Sequence, residues 1–137
     1  MEIGEIVPQS PTYHLDKALF GIDSDIIDRY GSTAVTTSIS SSQTIAAKRD
    51  ALQYAAARGA RSRFEAFNES GELRNASLKE ATEWEDAARL ATEREDWSLL
   101  KGKLGSHAAD LREESIEEPG VKKEADAFSN LANLINP

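Results

Sequence analysis

Apolar residues recur along most of the chain at helical spacing. The plainest stripe lies near the C-terminus, where Val121, Ala125, Phe128, Ala132 and Ile135 follow one another at intervals of 4, 3, 4 and 3, and Leu131 and Leu134 widen it. That period lines one face of an α-helix. Pro119 and Gly120 precede the stripe and set the segment 119–137 apart as a C-terminal amphipathic helix. Upstream, Leu78, Ala81, Trp84, Ala88 and Ala91 keep the same period. Ser77 and Glu80 match the S-x-x-E capping box, which predicts a helix start at Ser77. Trp97, Leu100 and Leu104 extend the pattern; either one helix bends near Asp96 or two meet there. Gly102 and Gly105 weaken its end, and Ser106 offers a cap for a further stretch through Ala108, Leu111 and Ile116.

From about Ser42 to Asn68 a broad stripe of Ile45, Leu52, Ala55, Ala56, Gly59, Ala60, Phe64 and Phe67 predicts another helix. The small residues at its centre suit close approach by a neighbouring helix, and Asn68–Gly71 supplies a stop. The first part of the chain reads differently. Ile3, Ile6 and Val7 are apolar, but Gly4, Pro8 and Pro11 interrupt any long element. Short helices are expected from Ser10–Pro11 to Gly21 and from Asp23 to Gly31, and both need a surface to lie on. Residues 32–44 are rich in Ser and Thr and read as an extended connector, with a strand over Thr33–Ile39 as the alternative. The expected architecture is therefore mainly α: a small helical bundle or elongated helical body over 42–118, an extended arm over 1–41, and the terminal helix.

Composition limits what such a chain does. At 137 residues it fits one domain, and its hydrophobic fraction of 39%, much of it Ala, makes an elongated or partner-completed fold plausible. With no Cys it builds neither disulfides nor thiolate sites. No apolar run approaches the roughly 20 residues that span a bilayer, so membrane insertion is not expected. The first residues lack the basic and apolar blocks of a secretory leader, and the expected location is the cytoplasm or a large assembly such as a virion. The net charge of −8 is unevenly spread. Lys48, Arg49, Arg58, Arg61 and Arg63 make residues 45–64 basic, at +4, whereas residues 76–118 sum to −6. Pairing between these segments is the simplest use of such a distribution.

The chemistry is sparse. His14 lies near Asp16, and His107 stands one turn before Asp110, but no metalloprotease, phosphate-loop, Ser-elbow or Ca²⁺-loop motif is present. No catalytic, cofactor or metal site is expected, and the chain reads as a non-enzyme. Protein partners or self-association are expected instead. The candidate contact residues are Ile3, Ile6 and Val7 in the arm, Trp97 in the body, and Phe128, Leu131, Leu134 and Ile135 in the terminal helix. The leading expectation is an assembly or adaptor subunit, a virion or similar particle being one such assembly. The alternatives are an acidic regulator that occupies a basic groove, by DNA mimicry through Glu80, Glu83, Glu85, Asp86, Glu93, Glu95 and Asp96, or a nucleic-acid contact through segment 48–63. Direct nucleic-acid binding is disfavoured by the overall negative field.

Overall fold

The computed structural model describes residues 13–31 and 41–135. Ile3, Ile6, Val7, the Ser10–Pro11 helix start and the Thr33–Ile39 stretch lie outside the described residues. The described chain is a small all-α bundle without strands. Its helices are α1 (Tyr13–Tyr30), α2 (Ser41–Ala66), α3 (Gly71–Arg94), α4 (Ser98–Glu114) and α5 (Val121–Ile135). The most extensive pairings are α2 with α3 and α4 with α5, while α1 lies across α2 and α5.

Two short helices were expected where α1 forms one, because it continues through Gly21. A Cβ at Gly21 would meet nothing, so the glycine serves no close approach. Its helical cost of about 1 kcal/mol is offset by tertiary packing, with Ile26 in the core and Leu19, Ile22 and Ile27 against it. Thus residues 13–30 belong to the bundle.

The buried side of α2 is the small-residue series Ala47, Ala51 and Ala55 with Tyr54, Ser62 and Ala66. Ile45, Phe64 and Phe67, which the sequence places on an apolar stripe, are exposed. Close approach explains the preference for small residues: a Cβ at Gly59 would lie 3.2 Å from Glu85 Cγ and 3.5 Å from the Ala81 carbonyl oxygen. Larger side chains on this side would hold α3 away.

The start of α3 also differs from expectation. It begins at Gly71, so Ser77 is an interior residue and its hydroxyl donates to Glu69. Glu80, the other half of the supposed capping box, accepts from Trp84 Nε1 at 2.7 Å and from Arg58 at 3.1 Å. The S-x-x-E spacing joins neighbours on a helix wherever it falls, and only at a free N-terminus does it cap. Near Asp96 two helices meet. Glu95 adopts a left-handed conformation (φ 52°) and its N–H bonds to the Leu90 carbonyl, while Asp96 Oδ1 accepts from the Ser98 N–H at 3.1 Å and opens α4. Beyond it, α4 runs unbroken through Gly102, Gly105 and Ser106, burying Leu100, Leu104, Ala108 and Leu111. No new helix starts at Ser106, and Ile116 is exposed.

Half of the buried apolar side chains are alanine, so a few large residues fill most of the interior. Tyr54 is central to them. Its ring lies 5.5 Å from that of Trp84 and 4.7 Å from that of Phe128, and Phe128 in turn lies 4.7 Å from the His107 ring. Side chains of α2, α3, α4 and α5 therefore meet in one aromatic cluster.

Candidate functional site

One wall of that cluster opens into a cavity of about 320 Å³ lined by Asp16, Leu19, Asp23, Arg58, His107 and Glu124, among others. Each helix contributes by its register. Asp23 sits one turn before the buried Ile26 on α1, and Glu124 one turn before the buried Phe128 on α5, so both carboxyls are carried on the inner halves of their helices. Oxygens of Asp23 and Glu124 and a ring nitrogen of His107 lie within 4.8 Å of one another. Tyr54 Oη accepts from Arg58 at 2.7 Å and stands 3.0 Å from His107 Nε2. Arg58 also reaches Glu80, at 3.1 Å.

Burial decides the protonation states here. It lowers the His107 pKa to about 4, helped by the nearby Arg58 charge, so the imidazole is neutral at pH 7. Burial likewise raises both carboxyls, Glu124 to about 7. Glu124 donates a hydrogen bond to Asp23 and is repelled by its charge, whereas Asp23 gains from that bond and from Arg58. The pair therefore shares a proton near neutrality. Tyr54 is also held neutral, chiefly by burial.

The second distinctive region is the tip formed by α2 and α3. Phe64 and Phe67 pack edge to face at 5.8 Å between centroids, yet Phe67 remains 74% exposed. Across the turn, residues 71–76 of α3 are exposed at every position, and Leu73 with them. A helical turn exposed on all sides projects from the body instead of packing on it.

Within the two oppositely charged segments, much of the charge is matched by the chain itself. In the basic segment, Arg58 pairs with Glu80, Arg61 with Asp16 and Glu65, and Arg63 with Glu85, while Lys48 lies 4.9 Å from the centre of the Trp97 ring. On the acidic side, Glu80 and Glu83 bind Lys103, Asp86 binds Arg89, and Asp96 caps α4. Glu93 and Glu95 are exposed.

Of the residues singled out from sequence, Phe128, Leu131, Leu134 and Ile135 join one core and Trp97 packs against it. Phe128, Leu131, Leu134 and Ile135 are buried in the core because the stripe of α5 docks on this same chain, so they present no free surface in it. Trp97 is half-buried beneath Lys48, and Ile3, Ile6 and Val7 lie outside the described residues. His14 is exposed on α1. No described helix is long and apolar enough to cross a membrane. Sequence reasoning missed the meeting of Asp23 with Glu124, although an acid on the inner half of an amphipathic helix was a usable signal in each. Comparison of the chain with models of known families, with curated proteins and with solved structures gave no match.

Proposed function

We propose that this chain is a non-enzymatic subunit or adaptor of a larger protein assembly, docking through the α2–α3 tip. The carrying observation is the projecting turn, where Phe64, Phe67 and Leu73 stay exposed beside helix residues 71–76 that are uncovered on all sides. A free helix end of this kind is marginal in water, and large aromatic side chains on it are costly to hydrate and suited to anchoring an interface. A virion or similar particle falls within this reading.

The two charge-based alternatives draw less support. A DNA-mimicking face needs carboxylates free to meet a basic groove, whereas Glu80, Glu83, Glu85 and Asp86 are engaged by bases of the chain itself. Nucleic-acid contact by segment 48–63 meets the same objection, since Arg58, Arg61 and Arg63 each hold a carboxylate.

Phe67→Asp tests the reading. The side chain is exposed, so stability is expected to change by no more than about 0.5 kcal/mol, with unchanged helical circular dichroism. The mass of the complex recovered from the native source is expected to fall. An unchanged mass would remove the tip from the interface.

A further inference from the structure

We propose that Asp23, His107 and Glu124 form a divalent transition-metal site where α1, α4 and α5 meet, with Zn²⁺ the ion best suited to its donors. The three residues lie far apart in sequence, and folding alone brings one donor atom of each within 4.8 Å of the others. One imidazole and, once the proton between them is displaced, two carboxylates offset a double positive charge and match the nitrogen and oxygen ligands that Zn²⁺ accepts. The adjoining cavity of about 320 Å³ leaves room for water to complete the coordination. Zinc–ligand bonds of about 2.0–2.2 Å require the donors to draw closer by small side-chain rotations.

The surrounding charges favour a ligand at this place. Several other buried or partly buried carboxylates have bases beside them: Asp16 has Arg61, Asp50 has Arg29, Glu80 and Glu83 have Lys103, and Asp126 has Arg112 and Lys122. Asp23 and Glu124 face each other with no base in ion-pair contact among the described residues. Two carboxylates turned together on a half-buried wall repel once the proton between them is lost, and a cation in its place removes that repulsion. The Tyr54 hydroxyl, 3.0 Å from His107 Nε2, orients the ring as outer-shell partners of metal-bound histidines do. Arg58 acts against the ion. It is held by Glu80 and Tyr54, but Nη1 lies 3.5 Å from His107 Nδ1, so its charge lowers affinity for any cation.

Calorimetric titration of the metal-free full-length protein with Zn²⁺ near neutral pH is expected to give one saturable site. Glu124→Gln, Asp23→Asn and His107→Gln should each weaken it at least about tenfold, and Arg58→Gln should tighten it. In each carboxyl variant the amide can keep the hydrogen bond within the pair and carries no charge, so their melting temperatures without Zn²⁺ should equal or exceed that of the wild type, which separates lost binding from lost fold. Added Zn²⁺ should raise the melting temperature of the wild type and leave theirs unchanged. Absence of saturable binding by the wild type, or equal binding by Glu124→Gln and Asp23→Asn, would overturn the proposal, the latter because surface carboxylates would then be the ligands.

Discussion

Replacing Trp84 by alanine is expected to lower the folding free energy by about 3–5 kcal/mol, seen in thermal unfolding as a fall of about 10–20 °C for a chain of this size. The reason lies in the poverty of the core. Half of its buried apolar residues are alanine, which contribute little transfer free energy each, and Trp84 is among the largest fully buried side chains. Its ring meets Tyr54 edge to face, and the cations of Arg58 and Lys103 lie 5.2 and 4.9 Å from its centre. Its Nε1 donates to Glu80 at 2.7 Å. Truncation thus leaves a cavity between α2 and α3 and frees the carboxylate that holds Arg58. Trp84→Phe refills much of the volume without the donor and should cost clearly less. Equal losses in both variants would show that the hydrogen bond, and not the packing, carries the effect.

Asp50→Ala is expected to cost about 2–3 kcal/mol. Asp50 is a buried acid on α2 that accepts from Tyr30 Oη at 2.6 Å and from Arg29 at 2.7 Å, fastening the end of α1. Asn130 of α5 donates to the Tyr30 carbonyl at 2.8 Å and holds the same end from the other side. Without Asp50 the Tyr30 hydroxyl loses its acceptor in a largely buried place. The Arg29 side chain is 55% exposed, so water compensates its part of the loss and the figure stays below that for a fully buried ion pair. Urea unfolding of Asp50→Ala, Tyr30→Phe and the double variant measures the coupling directly. The double variant should be more stable than the sum of the single losses predicts. Strict additivity would mean that Asp50 and Tyr30 do not act together.

The helices were legible where pattern and punctuation agreed. In α5 the regular stripe follows Pro119 and Gly120, and the helix occupies Val121–Ile135. Elsewhere local signals were outweighed by packing. Gly21 reads as a stop, yet apolar contacts on both sides of it carry α1 through. Gly102, Gly105 and Ser106 read as a break in α4, which its buried leucines hold together. The face of α2 was misjudged for a related reason. Large residues suggest a core face, but the side of α2 that is buried among its neighbours carries the small Ala47, Ala51 and Ala55 at intervals of 4, and Phe64 and Phe67 stay outside.

The sites were less legible than the helices because both depend on tertiary placement. Sequence proximity pairs His107 with Asp110, whereas in the fold its ring meets Tyr54 and Phe128. Asp23 and Glu124 belong to helices at opposite ends of the chain, and no spacing rule joins them. The uneven charge, by contrast, was readable: the basic segment is largely neutralised by acids of α1 and α3. That internal pairing is what leaves the apolar tip as the strongest candidate for contact with a partner.

Photo-crosslinking in the native source tests docking by the tip most directly, with a benzophenone amino acid placed at position 67 in one variant and at position 89 in another. Phe67 is on the tip and Arg89 is on the exposed charged side of α3. Docking through the tip predicts a covalent protein adduct from position 67 and none from position 89. An adduct from position 89 with none from position 67 would contradict it and assign recognition to the charged face.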